Sequence, residues 1–211
     1  MWACGGDHVE AVDVHTSGGE RRVACEYLAC GFGLVPNVEL PALLGCRISR
    51  ATVWTDAWQQ TSIPAVYSAG ECTGIGGLDA AVVEGRIAGL AATGQHTVAL
   101  AWFRHRDRTH RFALALARDF ALRGDVTALS TDDTIVCRCE DVTYGALRRH
   151  DSWRGAKLQT RCGMGPCQGR ICGSAASRLF GWETGQPRPP ISPIPLGALM
   201  VMVDQGRESG T

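Results

Sequence analysis

Five of the ten cysteines in this chain lie within 36 residues of one another, and their spacing indicates inorganic chemistry. Cys137 and Cys139 form a Cys-x-Cys pair, and Cys162, Cys167 and Cys172 follow in TRCGMGPCQGRICG. Thiolates packed this closely usually hold a metal ion or an iron–sulfur cluster. A [2Fe–2S] cluster needs four thiolates around two irons, and the Cys-x-Cys pair can supply two of them from one loop.

The second pair of ligands must come from the later cysteines, where two choices are open. Four residues separate Cys162 from Cys167, and four also separate Cys167 from Cys172. We prefer the later pair, because Cys167 follows the GMGP turn and Cys172 comes about one helical turn later. The predicted ligands are therefore Cys137, Cys139, Cys167 and Cys172. Cys162 is then a spare or an alternate ligand.

Three other interpretations compete with a cluster. A structural zinc site also takes four thiolates, but Cys-x-Cys fits poorly with the usual Cys-x2–4-Cys knuckles. Disulfides need an oxidising compartment, and the N-terminus MWACGGDHVEA has none of the features of a signal peptide. The third interpretation is that cysteines are enriched by chance, as small apolar residues of the core. We predict this role for the five cysteines that lie scattered among apolar residues: Cys4, Cys25, Cys30, Cys46 and Cys72.

A glycine-rich motif in the first half, IPAVYSAGECTGIGGLDAAVVEG, predicts a cofactor site. An apolar strand, a glycine-rich turn and a helix place backbone N–H groups where a pyrophosphate or a flavin oxygen could sit. A carboxylate at the strand end can also accept hydrogen bonds from sugar hydroxyls. The alternative is that small residues here only permit close packing of helix on sheet. The predicted cofactor-binding residues are Gly70, Glu71, Gly74, Gly76 and Gly77.

The remaining patterns predict an α/β architecture. Residues 8–15 and 20–30 alternate apolar and polar positions around TSGG, which is typical of a β-hairpin. Residues 52–56 and 65–69 are predicted to be short strands. An alanine-rich helix is predicted from residue 78 to residue 93.

A longer amphipathic stretch, residues 98–123, predicts one helix or a helix pair. His105 and His110 are expected on its solvated face. Beyond a polar, turn-rich boundary, Thr143 is a candidate N-cap for a short helix. Five of the nine prolines fall in residues 187–195, which predicts an extended arm against a neighbouring surface.

Composition excludes several classes of function. With 211 residues, 45% of them apolar and a net charge of zero, the chain has no electrostatic case for binding nucleic acid or an anionic membrane. No apolar run approaches the roughly 18 residues of a transmembrane segment. A cytoplasmic protein is expected.

The two motif regions together carry a family resemblance. CRCEDVTYGAL followed by TRCGMGPCQGRICG resembles the [2Fe–2S] domain of the bacterioferritin-associated-ferredoxin type. The longer series CGFGLVPNVELPALLGC, AGECTGIGGLDAAVVEGRIAGL and RPPISPIPLGAL resembles FAD-dependent subunits of the pyridine-nucleotide-disulfide type. Among these FAD-dependent subunits, the series is similar to the α-type subunits of opine oxidases, hydrogen cyanide synthase and hydroxyproline dehydrogenase.

The resemblance implies a fold and a division of the chain. The implied fold is α/β: the C-terminal part of a two-dinucleotide-domain flavoprotein, consisting of a β-meander and a strand–turn–helix unit. A small helical [2Fe–2S] domain is expected to follow it. The expected parts are a partial FAD/NAD(P)-binding domain at 1–98, a helical connector at 99–133, the cluster domain at 134–185 and a proline-rich arm at 186–211.

One expected part has no counterpart in this sequence. Family members begin with a GxGxxG unit that binds the ADP half of FAD, and the stretch AGECTG resembles only their second FAD contact, with Glu71 where Asp is commoner. A fragment, a split gene whose other half supplies the missing N-terminal FAD-binding half, and a truncated reading frame are the three explanations. We expect weak FAD binding or none in the isolated chain, because the adenosine pocket is lost.

The function implied by the resemblance is electron transfer through FAD and a [2Fe–2S] cluster, as a subunit or fragment of an oxidoreductase that oxidises amines or amino acids. The implied partner is a flavin-containing, substrate-oxidising subunit, and no catalytic acid, base or nucleophile is predicted in this chain. A zinc- or cluster-stabilised interaction module and a stand-alone ferredoxin-like carrier are the alternatives.

Overall fold

The computed structural model describes residues 2–31, 33–183, 187–198 and 200, and the chain divides into two units, Met1–Gly33 and Leu34–Thr211. The first unit contains the strands β1 (Trp2–Cys4), β2 (Ala11–Thr16) and β3 (Gly19–Ala24). The second begins with α1 (Glu39–Leu43), β4 (Ile48–Ser49), β5 (Thr52–Val53), α2 (Gly77–Ala92), α3 (His96–Leu100), α4 (Phe103–Asp119) and α5 (Asp125–Ala128). It continues with β6 (Ile135–Cys137), β7 (Val142–Thr143), α6 (Tyr144–Leu147), α7 (Trp153–Thr160) and α8 (Cys172–Phe180).

The first unit is an antiparallel meander in the order β1-β2-β3. Thr16 pairs with Gly19 across a two-residue turn, so the predicted hairpin is confirmed with shorter strands. Asp13 and Arg22 lie opposite each other in the register, and the guanidinium donates two hydrogen bonds of 2.7 Å to the carboxylate. This pair ties β2 and β3 together through their side chains as well as their backbone.

The strand predicted at 65–69 is present only as a single antiparallel bridge, between Gln60 and Tyr67. Ala65 adopts a left-handed backbone, with φ of 62°, which interrupts an extended run. The segment instead folds back on the residues before it: Thr61 N–H donates to Val66 O, and Ser68 N–H donates to the Gln59 carbonyl. The predicted strand at 52–56 is present as the two residues of β5, paired with β4.

The helix predicted from residue 78 is confirmed as α2, which begins at Gly77. One face of α2 is buried at helical spacing, through Ala80, Val83, Glu84, Ile87, Ala88 and Ala91. The amphipathic stretch after it forms a helix pair, α3 and α4, and both helices contact α2. The buried face of α2 is apolar except for Glu84, whose carboxylate lies among the apolar side chains.

The cysteine-rich region has its own apolar core. Buried Leu147 and Trp153, from α6 and α7, pack with Ala176 of α8 and with three of the cysteines. Thr143 caps α6 as predicted, because its Oγ1 accepts from Ala146 N–H, and Ser152 caps α7 in the same way. Short capped helices thus surround the loops that bear the cysteines.

Two further predictions concern the surface. The five scattered cysteines do not all belong to the core: Cys46 is buried, Cys30 is exposed, and Cys4, Cys25 and Cys72 are half-buried. The exposure of Cys30 follows from its place in the irregular segment after β3, away from any helix or strand. Part of the proline-rich arm, at 186, 199 and 201–211, lies outside the described residues. Across the described ranges, no helix is both long and apolar enough to cross a membrane.

Candidate functional site

Three buried thiols form one sulfur group, which we call the inner group: Cys137, Cys162 and Cys172. Their Sγ atoms all lie within 4.8 Å of one another, and each side chain is at most 1% exposed. Cys137 ends strand β6, Cys172 begins helix α8, and Cys162 follows the left-handed residue that ends α7. Three separate elements therefore deliver one sulfur each to the same point in the core.

Two further thiols form a second sulfur group, the outer group. The Sγ atoms of Cys139 and Cys167 lie 3.7 Å apart. Cys139 is exposed and Cys167 is half-buried, so this group lies nearer to solvent than the inner one. Two thiolates bound at about 2.3 Å to one tetrahedral metal lie about 3.8 Å apart, so this spacing fits a shared metal ion.

Backbone N–H groups stabilise one thiolate in the inner group. Burial alone raises the pKa of Cys137, but the N–H groups of Gly163, Glu140 and Cys139 point at its sulfur and hold its pKa below the usual value. Burial raises the pKa of Cys172 to about 11, and the nearby charge of Cys137 acts in the same direction. One thiolate thus lies beside thiols that stay protonated.

The outer group repeats this pattern. The N–H of Ile171, helped by those of Gly169 and Arg170, lowers the pKa of Cys167. The N–H of Cys167 favours the thiolate of Cys139, but the hydrogen bond between the two sulfurs, together with burial and charge repulsion, raises the pKa of Cys139 overall. Each group therefore offers an anionic sulfur with its N–H donors already in place, which is the environment that thiolate ligands need.

Two glycines allow the loops to approach this closely. A Cβ on Gly165 would lie 2.2 Å from the Cβ of Cys139, and a Cβ on Gly163 would lie 2.6 Å from the ring of Trp153. Any side chain at either position would force the loops apart. Sequence reasoning treated the GMGP segment only as a turn and missed these contacts, although two glycines flanking one residue are a signal of close backbone approach.

The structure places the predicted cofactor-binding residues at the start of α2. Gly70 has φ of 86° and Gly77 has φ of 76°, and Glu71 Oε1 accepts the N–H of Gly77 at 3.1 Å. A Cβ at Gly74 or Gly77 would have no atom within 4 Å, so the backbone there is open to an approaching group. The N–H of Gly70 is already bonded, to Glu84 Oε2 at 2.8 Å.

Glu84 is a functional candidate that the sequence reasoning missed. Its carboxylate, buried on α2, also accepts from Thr73 Oγ1 at 2.7 Å, and its other oxygen lies 2.7 Å from Nε2 of His110 on α4. His105 is exposed as expected, whereas His110 is half-exposed and this contact turns its ring toward α2, so the expected solvated face is confirmed only in part. The single charged residue in the apolar stripe of α2 was the available signal. Glu84 positions the glycine-rich turn.

A cavity of about 480 Å³ lies beside the same turn. Its wall includes Ser68 and Cys72, whose side-chain atoms are 3.1 Å apart, as well as Glu39 and Ile191. Arg170, which lies between Cys167 and Cys172 in sequence, donates to Glu39 Oε2 at 3.0 Å and to the Ile191 carbonyl. One guanidinium thus links the cysteine loop to the cavity wall.

Comparison with known protein families finds a match over the part of the chain that contains the glycine-rich motif. Residues 4–95 match the model of the pyridine nucleotide-disulphide oxidoreductases. The match supports an oxidoreductase subunit of that type. The match ends before the cysteine-rich region, so it does not test the predicted cluster.

Curated relatives extend the similarity over most of the chain. It is 34% identical over 206 residues to hydrogen cyanide synthase subunit HcnB of Pseudomonas aeruginosa, and the match covers 84% of this chain and 44% of that protein. It is 33% identical over 210 residues to an opine oxidase subunit of Rhizobium meliloti, and the match covers 88% of this chain and 46% of that protein. The chain therefore spans less than half the length of these relatives.

Proposed function

We propose that this chain is an electron-transfer part of a multi-subunit oxidoreductase and that it carries a [2Fe–2S] cluster. The observation that carries the proposal is the division of the thiols into two adjacent groups, one with a spacing of 3.7 Å and one within 4.8 Å. Two irons need two pairs of thiolates. Cys139 and Cys167 would hold one iron, and Cys137 and Cys172 the other.

This ligand set agrees with the environment of three of its four sulfurs, those of Cys137, Cys139 and Cys167. Every sulfur of the outer pair has backbone N–H groups near it, and Cys137 of the inner pair has three such donors. N–H donors and burial are the features by which proteins tune such clusters. The resemblance of CRCEDVTYGAL and TRCGMGPCQGRICG to [2Fe–2S] domains supports the same assignment.

A flavin is the second proposed cofactor. The match of residues 4–95 supports FAD binding, and the open backbone at Gly74 and Gly77 fits a ligand that approaches the start of α2. When bound, FAD would supply two-electron chemistry and the cluster one-electron transfer. Glu84 would hold the glycine-rich turn in place through Gly70 and Thr73.

The partners and substrate class are inferred from the relatives. These relatives are named as subunits of hydrogen cyanide synthase and of opine oxidase, so a flavin-containing subunit that oxidises an amine or amino acid is the proposed partner. No residue of the chain is assigned to bond breaking in the substrate.

Metal analysis tests the proposal directly. Protein purified without oxygen is assayed for iron, acid-labile sulfide and zinc, and its visible spectrum and EPR spectrum after reduction are recorded. We expect iron and sulfide in equal amounts and a rhombic signal after reduction. Stoichiometric zinc without colour would refute the electron-transfer role.

A mononuclear zinc site is the second candidate, and the inner group favours it. Three buried thiols within 4.8 Å of one another already approximate three corners of a tetrahedron. That site would make the region a structural module. Its signature in the same assay is zinc that disappears in a Cys162→Ala variant.

A further inference from the structure

The inner sulfur group holds one thiol more than a cluster needs. Four thiolates complete a [2Fe–2S] cluster, and five thiols lie in the two groups. Because the outer group has two sulfurs, the surplus falls among the inner three. The remaining five cysteines of the chain belong to neither group.

With Cys137 and Cys172 taken as the proposed inner ligands, Cys162 is the surplus thiol. It is completely buried, and it lies within 4.8 Å of both Cys137 and Cys172. As a filler of the core it would need only volume, which alanine or valine could also provide. Its sulfur instead points at the two proposed ligands of one iron, and its backbone N–H is held by Thr160 Oγ1 at 3.2 Å. The side chain is thus fixed beside the inner iron position.

We infer that Cys162 is a reserve ligand, able to take the place of Cys172 on the inner iron; the inference rests on the proposed [2Fe–2S] cluster. The shift required is small, because two thiolates on one iron lie about 3.8 Å apart and the inner sulfurs already lie within 4.8 Å. In the exchange, the bond from the Cys172 sulfur to the iron would break and one from the Cys162 sulfur would form, and the proton lost by the Cys162 thiol would balance the one taken up by the Cys172 thiolate. No oxidant or reductant is involved.

The two groups should therefore respond differently to the loss of a ligand. Replacing Cys172 leaves Cys137 and Cys162 side by side at the inner iron. Replacing Cys167 leaves Cys139 with no third thiol within the outer group. Loss of an inner ligand is then tolerated, and loss of an outer ligand is not.

Four variants of the full chain test this inference: Cys162→Ala, Cys172→Ala, Cys167→Ala and the double variant C162A/C172A. Alanine is used because a serine oxygen could itself bind iron. Iron and sulfide per chain and the reduced EPR spectrum are measured after anaerobic purification. We expect Cys162→Ala to keep the full cluster with an unchanged spectrum. Cys172→Ala should keep most of its iron with shifted g values, and the other two should lose nearly all of it.

The outcomes separate this inference from the proposed function. A wild-type chain without iron and sulfide would refute the cluster itself. A wild-type cluster that is lost from Cys172→Ala as completely as from C162A/C172A would refute only the reserve role. Loss of the cluster from Cys162→Ala would make Cys162 the resident ligand and overturn the inference too. If Cys172→Ala does not fold, Cys172→Ser is compared with C162A/C172S in the same way.

Discussion

Removing the buried carboxylate of Glu84 should loosen the glycine-rich turn. Its two oxygens accept from Gly70 N–H at 2.8 Å, Thr73 Oγ1 at 2.7 Å and His110 Nε2 at 2.7 Å, and its side chain is 6% exposed. Truncating one partner of a buried charged network costs about 3–5 kcal/mol, because the other groups are left without partners. We expect Glu84→Ala to lower the free energy of unfolding by about this amount.

Glu84→Gln is the matched control, because it preserves shape and one carbonyl oxygen. The amide oxygen can still accept from Gly70 and Thr73, and only the extra strength of a charged acceptor is lost. We expect a cost of about 1–2 kcal/mol for this change. His110→Ala removes one of the three hydrogen bonds at a half-exposed site, and we expect a cost of about 1 kcal/mol.

Urea unfolding of the full chain measures the global effect, and hydrogen exchange of the Gly70 amide measures the local one. The amide should exchange faster in the order wild type, Glu84→Gln, Glu84→Ala, because its acceptor weakens and then disappears. A Glu84→Ala protein within about 0.5 kcal/mol of wild type, with unchanged Gly70 protection, would refute the positioning role of Glu84.

Three further predictions concern other parts of the chain. The hydrogen bonds from the Arg22 guanidinium lower the pKa of Asp13 to about 2, so the stability this pair adds is present above about pH 4 and is lost as the pH falls toward 2; an NMR titration of Asp13 should show this pKa, and Arg22→Gln should return it to the usual range. Ala51 has φ of 62°, so Ala51→Gly should raise the free energy of unfolding by about 0.5–1 kcal/mol in urea titrations, and a decrease would contradict the left-handed turn. Gly165→Ala places a Cβ 2.2 Å from the Cβ of Cys139 and should abolish iron binding. In the control, Gly124→Ala, the added Cβ meets no atom within 4 Å, so the iron content should be unchanged.

Local patterns were sufficient for much of the fold. The buried stripe of α2 follows the helical period of its apolar residues, and Thr143 caps α6 because a hydroxyl before a short helix can bind an orphan N–H. The strand predicted at 65–69 is reduced to a single bridge for an equally local reason, the left-handed backbone of Ala65, which an apolar run does not reveal. Periodicity reports burial, and it does not report the backbone conformation of a single residue.

The arrangement of the site was predictable only in part. Spacing predicted that Cys137 and Cys139 act with Cys167 and Cys172. The structure brings Cys139 close to Cys167, and Cys137 close to both Cys172 and Cys162, and the role of these residues as ligands stays a prediction. Neighbours in sequence do not share a group, however, since Cys137 is inner and Cys139 outer. Cys137 ends β6 and Cys139 lies in the turn after it, so the two do not share a strand face. Which sulfurs meet then depends on how the later loop packs, through glycines whose function is steric.

The charge of the cysteine-rich region bears on the same proposal. The whole chain has a net charge of zero, yet residues 135–182 contain eight Lys and Arg against three Asp and Glu. A cluster with four thiolates carries net negative charge, which grows by one on reduction. Basic residues around it lower the free energy of the reduced form and so raise the reduction potential. A protein that only needed a small core around Trp153 would gain nothing from this excess of like charge, which opposes folding when no metal–thiolate centre is present. The asymmetry therefore favours an anionic centre in this region over a purely apolar role for its cysteines.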